Sequence, residues 1–194
     1  MIADSGSDAF SLRALAKRLG VDPAAIYRHY ADLEELLRAV GDLGLAPAVT
    51  RISITADPVA DARRLLLRLR RALLASRVAA QFTMHGPTRL DNEVRITETL
   101  LDACERAGLG PDEVVVAYHV LIEYTVGSAA LDAPLASDRA ARGATYKRWR
   151  EDYLQLDPAQ HPAIHHYARR LYPSSDTVFA AGLDALLAQL LGDA

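Results

Sequence analysis

The stretch of sequence that decides the fold is residues 11–30, SLRALAKRLGVDPAAIYRHY. Apolar residues recur at helical spacing through residues 12–19, which predicts a short helix with one apolar face. Gly20 suits the left-handed position that ends such a helix. Asp22 followed by Pro23 predicts a second helix, because the carboxylate caps the new helix and proline fits its first turn. Two short helices joined by so tight a turn form a helix-turn-helix.

The second helix, predicted over residues 23–30, has an outer face suited to DNA. At about 100° per residue, this face combines the small residues Ala24 and Ala25 with Arg28 and His29. Small side chains permit close approach to the major groove, and the arginine and histidine can reach base edges or phosphates. The alternative is a set of short core helices whose arginines are simply solvated.

The pattern of these residues resembles the TetR family of transcriptional regulators. The resemblance rests on Leu-Ala-x-x-Leu-Gly-Val at residues 15–21 and on Ile-Tyr-Arg-His-Tyr at residues 26–30. It implies a homodimer whose two recognition helices enter successive major grooves of a double-stranded, palindromic operator. It also implies a small-molecule effector that binds the C-terminal domain and releases the DNA. The positions that match the DNA-contacting sites of the family are Ser11, Arg13, Ala24, Ala25, Tyr27, Arg28 and His29.

Two features depart from the family pattern. Residues 1–6 resemble only the tail of a helix that normally precedes the motif, so either the chain begins late or this first helix is shortened. Leu33 stands where the family often has a lysine that holds a phosphate. Asp32 and Glu35 nevertheless form a capping box, which predicts a third helix over residues 33–43.

The rest of the chain is helical in pattern, and strand signals are nearly absent. We therefore expect an all-α protein. A homeodomain-like helix-turn-helix unit is expected over residues 1–45, and a TetR-type helical domain for ligand binding and dimerisation over residues 46–194. The further helices are predicted over residues 58–79, 90–107, 112–131, 138–153, 162–171 and 176–191.

Charge and cysteine content narrow the function classes. The formal net charge is −3, so DNA binding must depend on a local basic patch. The single cysteine, Cys104, excludes an internal disulfide and fits a reducing compartment, the cytoplasm.

The most apolar run, residues 114–130, carries His119 and Glu123 in its middle, so we expect no membrane span. Six arginines within residues 58–79 are interpreted as the solvated face of a helix, with a membrane-surface helix as the alternative.

The same apolar run predicts a dimer. A helix that is apolar all round must be covered on every side, and one domain of this size can hardly bury both it and the apolar last helix. Pairing both helices with their copies across a two-fold axis would bury the surplus. The alternative places both helices in the core of a monomer. The predicted interface residues are Tyr118, Ile122, Thr125, Phe179, Gly182, Leu183, Leu186 and Leu190.

An effector pocket is expected between the helices of the larger unit, where apolar walls would surround a few convergent polar groups. An ordinary core or interface role is the alternative for every candidate residue. The candidates are Phe82, Met84, His85, Tyr118, His119, Glu123 and Trp149.

No recognisable catalytic motif is present in the sequence. His161, His165 and His166 supply too few well-spaced ligands for zinc, and we find no phosphate-binding glycine loop or nucleophile elbow. We therefore expect no enzyme, no catalytic residues, no metal and no cofactor. The leading hypothesis is a ligand-responsive repressor. The alternative is a helical ligand-binding or interaction protein that has lost DNA binding.

Overall fold

The computed structural model describes residues 12–132 and 139–192, which form helices and no β-strand. The predicted all-α class is therefore confirmed. Predictions for residues 1–11, including Ser11 and the helix that precedes the motif, lie outside the described residues. The helices are α1 (Leu12–Leu19), α2 (Pro23–Tyr27), α3 (Leu33–Val49), α4 (Pro58–Ala75), α5 (Arg77–His85), α6 (Asp91–Arg106), α7 (Pro111–Asp132), α8 (Arg139–Leu154), α9 (Pro162–Tyr167) and α10 (Ser175–Leu191), and a 3-10 turn, Ala168–Arg170, follows α9.

The helix after the motif, α3, is longer than predicted. It continues past residue 43 to Val49, so the predicted division between residues 45 and 46 falls inside a continuous helix. Pro47 removes one helical hydrogen bond, but its carbonyl accepts from the guanidinium of Arg68, with Nη2 at 2.7 Å. Leu45 and Val49 are buried in the core. Burial of the last turn stabilises the helix by more than the lost hydrogen bond costs. Helix α3 therefore runs from the helix-turn-helix unit into the larger unit.

The single helix predicted over residues 58–79 is instead two helices, α4 and α5. Ser76 separates them because its backbone is extended, with φ −126° and ψ 100°. Its hydroxyl oxygen then accepts a hydrogen bond from the N–H of Ala79 at 3.2 Å and so caps α5. A serine within an apolar helical pattern was the sequence signal for this break.

Helix α4 is the centre of the larger unit and packs against α3, α5, α6, α7 and α10. Leu65, Leu66, Leu69 and Leu73 repeat on its inner face and are at most 2% exposed. Cys104 on α6 belongs to the same core, and burial raises the pKa of its thiol to about 11. The thiol therefore stays protonated at neutral pH and packs as a small apolar side chain.

Four arginines of α4 bond to other groups of the protein. Arg70 is 3% exposed, and its guanidinium pairs with Asp132 on α7 and with Asp176 on α10. The interpretation of these arginines as a solvated face is therefore wrong for Arg70, whose charge needs partners inside the protein. Three others also bond to protein groups: Arg63 to Asp184, Arg64 to Asp61, and Arg68 to the carbonyls of Pro47 and Thr50.

One helix in the described part of the chain, α7, is long and apolar enough to cross a membrane by length and composition alone. Only 22% of its most apolar 18-residue window is buried in the protomer. Its buried residues, including Ala117, Leu121 and Thr125, form a narrow stripe along one side. Most of its apolar surface therefore lacks a cover within the protomer.

A buried carboxylate, Asp61, holds the segment before α4 against α6. It is 2% exposed and accepts hydrogen bonds from the N–H and hydroxyl of Thr55 and from Nη2 of Arg106, at 2.8–2.9 Å. Burial by itself would raise the pKa of Asp61, but these bonds and the charge of Arg64 outweigh it and lower the pKa to about 2. The stabilisation by this carboxylate is therefore present above about pH 4 and is lost as the pH falls toward 2.

We expect Asp61→Asn to lower the free energy of unfolding at pH 7 by roughly 3 kcal/mol, because the partners of the carboxylate lose its charge. Urea unfolding at pH 7 and pH 3 measures the effect, and the difference from wild type should shrink at pH 3. Asp184→Asn is the matched control, since it removes a half-exposed ion pair and should cost less than about 1 kcal/mol. Equal losses for the two variants would contradict the role assigned to Asp61.

Candidate DNA-binding and effector-binding sites

The turn of the predicted helix-turn-helix is present between α1 and α2. Helix α1 ends in a Schellman motif, in which the N–H of Val21 donates to the carbonyl of Ala16 at 3.1 Å and that of Gly20 donates to Lys17 at 3.4 Å. Gly20 has a φ of +69°, a conformation in which a side chain would be strained. The predicted left-handed glycine is therefore confirmed.

The predicted start of the second helix is also confirmed. Oδ1 of Asp22 accepts a hydrogen bond from the N–H of Ala24 at 2.8 Å, and Pro23 is the first helical residue. Helix α2 ends at Tyr27, three residues earlier than predicted. A short, well-capped helix thus follows a tight turn, which is the geometry of a recognition helix.

The outer face of this second helix is open to solvent. Arg28 and His29 follow α2 directly and are exposed, as are Ala24 and Tyr27, while Ala25 is half-buried. Nε of Arg28 lies 3.4 Å from the carbonyl of Ala24, so this side chain runs back along the helix. Among the other predicted DNA contacts, Ser11 lies outside the described residues, and Arg13 lies on α1 with its side chain not described.

The predicted capping box begins helix α3. Oδ1 of Asp32 accepts from the N–H of Glu35 at 2.8 Å, and the carboxylate of Glu35 accepts from the N–H of Ala31 at 2.6 Å. These two bonds satisfy backbone donors that the start of a helix would otherwise leave open. Helix α3 follows directly, after residues 28–32, on the helix-turn-helix of α1 and α2, which we call the reading unit.

Near its middle, α3 is bound to α6 by Asp42, a carboxylate that is 5% exposed. Oδ1 accepts from the hydroxyl of Thr88 at 2.9 Å and from the N–H of Glu93 at 3.0 Å. Oδ2 accepts from the N–H and the side-chain amide of Asn92, at 3.1 and 2.9 Å. Leu90, at the N-cap of α6, makes no capping bond of its own. The carboxylate on α3 thus supplies the cap that α6 lacks.

A close approach holds the middle of α3 against the junction of α4 and α5. A Cβ on Gly44 would lie 2.6 Å from Oγ of Ser76 and 2.8 Å from Cβ of Ala79. Real side chains do not make contacts this short, so any larger residue at position 44 must displace one helix. Glycine here sets the distance between α3 and the larger unit.

The four predicted effector residues whose side chains are described, Tyr118, His119, Glu123 and Trp149, do not converge on one pocket. Tyr118 is half-buried between α6 and α7, with its hydroxyl 3.0 Å from that of Thr97. His119 and Glu123 are exposed on α7, 3.9 Å apart. Trp149 belongs to an aromatic cluster on α8. Phe82, Met84 and His85 lie on α5, and their side chains are outside the described part of the structure.

A groove of about 580 Å³ lies between α7, α8 and the segment that leads into α10. This volume is within the usual range for a pocket that binds a small organic molecule. Among the described lining residues, Glu123 is the one that was predicted to bind the effector. We call it the tyrosine groove, and its main lining residues are Glu123, Tyr124, Asp132, Tyr146, Tyr172 and Val178.

Aromatic rings brace one wall of the tyrosine groove. The ring centre of Tyr172 lies 5.0 Å from that of Trp149, 5.6 Å from that of Tyr146 and 6.1 Å from that of Tyr153. Trp149 therefore packs against the wall, and the described residues that line the groove there are Tyr146 and Tyr172. Sequence reasoning missed Tyr146 and Tyr172, but the spacing of Tyr146, Trp149 and Tyr153 on one helix face was an available signal.

The histidines near α9 are not gathered into a metal site. Pro162 begins α9, as predicted, which leaves His161 before the helix. The ring of His166 packs edge-on against Tyr167, with centres 4.5 Å apart. Within residues 12–132 and 139–192, no group of three His, Cys, Asp or Glu side chains is placed to hold a metal ion.

The centre of the predicted dimer seam lies inside the protomer. Thr125, Phe179 and Leu183 are at most 1% exposed, because they face α4 and the core. Gly182 accommodates the protomer's own Tyr124, since a Cβ there would lie 2.0 Å from the tyrosine oxygen. Thr125, Phe179 and Leu183 therefore require correction as partner contacts, whereas Gly182 is half-buried and stays a prediction. The other four, Tyr118, Ile122, Leu186 and Leu190, are half-buried.

A different surface of the same two helices is left uncovered. On α7 the exposed fractions of Val115, Val116 and Leu131 are 52%, 59% and 81%, and on α10 that of Val178 is 52%. Small exposed residues continue the surface along α10. We call this surface the α7–α10 face, and its residues are Val115, Val116, His119, Leu131, Val178, Ala181 and Ala185.

Comparison with known proteins gives the family. Residues 59–191 match the family described as "Tetracyclin repressor-like, C-terminal domain", and residues 1–40 match "Bacterial regulatory proteins, tetR family". The chain belongs to the TetR family. It is 30% identical over 153 residues to the tetracycline repressor protein class A from transposon 1721 of Escherichia coli, covering 76% of this chain and 69% of that protein. The predicted TetR resemblance is confirmed.

Solved TetR structures share the fold over nearly the whole chain. A TetR regulator of Streptomyces coelicolor superposes with a TM-score of 0.82 at 26% identity, covering 98% of this chain and 92% of that one. A TetR variant from Acinetobacter baumannii, in complex with minocycline, superposes with a TM-score of 0.65 at 25% identity, covering 97% and 88%. As a TetR protein, this chain is a DNA-binding, ligand-responsive regulator of transcription, in a family of non-enzymatic transcription factors.

Proposed function

We propose that this TetR protein is a homodimeric repressor that a small-molecule effector releases from a palindromic operator. The observation that carries the proposal is the exposed outer face of α2, a helix that Asp22 caps after the tight turn. Arg28 and His29 follow this helix directly and are exposed. Two such faces in a symmetric dimer would read two half-sites about 34 Å apart, one helical turn of DNA. The predicted contacts Ser11, Arg13, Ala24, Ala25 and Tyr27 belong to the same proposed interface.

The charge distribution supports DNA binding at this end of the molecule. The whole chain is weakly acidic, with a net charge of −3, yet Lys17, Arg18 and Arg28 are exposed around the turn. Asp22 is the acidic residue in this stretch, and its carboxylate is occupied by the cap of α2. A local basic patch of this kind contributes phosphate contacts whose strength falls as salt rises.

Helix α3 is the proposed route between effector and DNA. It carries the reading unit at one end and packs against α4, α5 and α6 at the other. The Asp42 cap fixes it to α6, and the close approach at Gly44 fixes it to the junction of α4 and α5. An effector that shifts α5 or α6 would therefore tilt α3 and change the spacing of the two reading units. The minocycline complex of the Acinetobacter relative supports a small molecule as the effector.

We also propose that the chain has no catalytic activity and acts in the cytoplasm. The family of non-enzymatic regulators supports the first statement, and the inert, buried Cys104 thiol is consistent with the second. We propose that the partner copy covers the α7–α10 face. This contact would bury the apolar surface of α7, so a membrane is not needed to explain why that helix is so apolar.

A gel shift with DNA that flanks the protein's own gene tests the proposed function. We expect the full-length chain to shift a fragment that contains an inverted repeat, with affinity falling steeply between about 50 and 200 mM salt. A scrambled fragment of the same length is the control. The absence of any specific shift at low salt would overturn the repressor proposal and favour a ligand-binding protein that has lost DNA binding.

The role of α3 gives a second prediction. Gly44→Ala places a Cβ against Ser76 and Ala79 and should push α3 aside, so we expect operator affinity to fall at least about tenfold, a cost of 1.4 kcal/mol. Gly143→Ala on α8 is the matched control, because nothing lies within 4 Å of its Cβ. Gel shift measures affinity, and circular dichroism with size-exclusion chromatography checks that both variants stay helical and keep the wild-type mass. Unchanged affinity in Gly44→Ala would contradict the proposed route.

A further inference from the structure

We propose that Tyr118, Thr97 and Glu93 are positioning residues for DNA binding. Their side chains form a chain of hydrogen bonds that holds the first turns of α6 to α7, and the Asp42 cap continues this chain to α3. The inference deepens the proposed function and rests on it, because it names the contacts through which the larger unit sets the position of the two reading units.

The hydrogen bonds of the chain all run in one direction. Oγ1 of Thr97 donates to Oε1 of Glu93 at 2.8 Å, which uses the one proton of the threonine hydroxyl. The hydroxyl of Tyr118 lies 3.0 Å from the same Oγ1, so the tyrosine is the donor of this second bond. Hydrogen bonds that run the same way strengthen each other, because each donation makes the donor oxygen a better acceptor. Removal of the Tyr118 hydroxyl should therefore also weaken the bond between Thr97 and Glu93.

The carboxylate of Glu93 also holds the segment that leads into α6. Its Oε2 accepts a hydrogen bond from the N–H of Arg89 at 3.1 Å. The φ of Arg89 is +59°, in the left-handed region that a residue with a side chain seldom occupies. Such a conformation persists where neighbouring groups hold it in place. The two oxygens of one carboxylate thus join a strained backbone to the hydrogen bonds that lead to α7.

At the first turn of α6 the chain meets helix α3. Oδ1 of Asp42 accepts from the N–H of Glu93 at 3.0 Å and from the hydroxyl of Thr88 at 2.9 Å. Both bonds lie at a carboxylate that is only 5% exposed, so water competes little for them. A displacement of this turn relative to α7 would therefore be passed to α3, and from α3 to the reading unit that precedes it.

The chain joins two helices that have different tasks. Helix α7 carries part of the α7–α10 face, which the partner copy is proposed to cover, and α3 follows the reading unit. A two-fold axis fixes the two copies of α7 relative to each other. A fixed connection from α7 to α3 then also fixes the distance between the two reading units. Without this connection α3 would adopt more orientations, and the dimer would tolerate operators with altered half-site spacing.

Variants that remove single hydroxyl groups test the chain. Tyr118→Phe and Thr97→Val each delete one hydroxyl and nearly keep the shape of the side chain. Thr97→Ser keeps the hydroxyl and should behave as the wild type. One matched control is Tyr153→Phe on α8, which loses a hydroxyl contact of 3.3 Å with Tyr172. The other is Thr99→Val on α6, because the hydroxyl of Thr99 donates at 2.6 Å to a carbonyl of its own helix.

Gel shift measures the effect on three DNA fragments: the inverted repeat of the flanking DNA, the same repeat with one base pair added between its half-sites, and a single half-site. We expect Tyr118→Phe and Thr97→Val to reduce the preference for the native spacing at least about fivefold and to leave half-site affinity within about twofold. A variant that is merely destabilised would lose affinity for all three fragments alike. The double variant should lose no more preference than either single variant, because both changes break the same chain. An unchanged spacing preference, additive losses, or an equal loss in a control variant would overturn the proposal.

A distance measurement without DNA separates this inference from the proposed function. A spin label on Arg18→Cys, an exposed position of α1, reports the distance between the two reading units by pulsed electron paramagnetic resonance. Cys104 is buried and its thiol stays protonated, so it does not take the label. We expect one narrow distance distribution in the otherwise wild-type protein and a broader one with Tyr118→Phe.

The two measurements have distinct outcomes. If Tyr118→Phe broadens the distribution but the wild type shifts no DNA, the positioning chain stands and the repressor proposal fails. If the wild type shifts DNA but Tyr118→Phe leaves the distribution unchanged, the positioning chain fails and the repressor proposal stands.

Discussion

Replacing Arg28 and His29 together with alanine is expected to weaken binding to the flanking-DNA fragment by at least about a hundredfold. Each residue acts twice in a symmetric dimer, and an arginine contact to a base edge is worth about 1–3 kcal/mol. Both side chains are exposed just after α2, so their removal leaves the turn and the cap of Asp22 in place. The loss should therefore come from missing contacts rather than from an unfolded reading unit.

Gel shift across a range of salt concentrations measures this loss. The variant should also show a shallower dependence on salt, because fewer phosphate contacts release fewer counterions. The matched control is Arg71→Ala with His166→Ala, which removes one exposed arginine and one exposed histidine from the larger unit. Wild-type affinity in the Arg28/His29 variant would place the DNA interface elsewhere. Equal loss in the control variant would attribute the effect to net charge alone.

The helix-turn-helix could be predicted because its signals are local. Gly20, Asp22 and Pro23 act on hydrogen bonds within five residues of themselves, and the structure contains each of the predicted bonds. The same holds for the capping box of Asp32 and Glu35. Local rules fail where tertiary packing determines the extent of a helix. Helix α3 runs through Pro47 because its last turn is buried and Arg68 binds the proline carbonyl.

The dimer face could not be predicted from periodicity. Helices α7 and α10 are apolar almost all round, so the pattern of residues does not indicate which side faces α4 and which side faces outward. The largest side chains of α10, such as Phe179 and Leu183, fill the protomer core. Smaller residues such as Ala181 and Ala185 lie outside. Sequence reasoning chose mostly larger residues for the interface and therefore included three that are buried in the protomer, Thr125, Phe179 and Leu183.

The tyrosine groove could not be predicted from local sequence rules, for a related reason. Its residues come from α7, α8 and the turn at Tyr172, which are distant in sequence. Arg70 on α4 looked like one more solvated arginine, and only its position between Asp132 and Asp176 makes it a partner of the groove lining. A buried charge is identified by its partners, and those partners are set by tertiary packing.

The second large effect is expected at the α7–α10 face, where Val116→Asp should convert the dimer into a monomer at micromolar concentration. Val116 is 59% exposed in the protomer, and two-fold symmetry would place the new charge in the interface twice. Burying an unpaired carboxylate in an apolar interface costs several kcal/mol, so dimerisation should weaken by more than about a hundredfold.

Light scattering coupled to size-exclusion chromatography measures the mass, and gel shift measures the consequence for DNA. A monomer holds one half-site only, so operator affinity should collapse together with the mass even though α2 is untouched. Ile54→Asp is the matched control, because Ile54 is 61% exposed on the segment before α4, away from the α7–α10 face. A Val116→Asp variant that keeps the mass of a dimer would contradict the proposed interface. A monomer that still binds the full operator with wild-type affinity would contradict the need for two reading units.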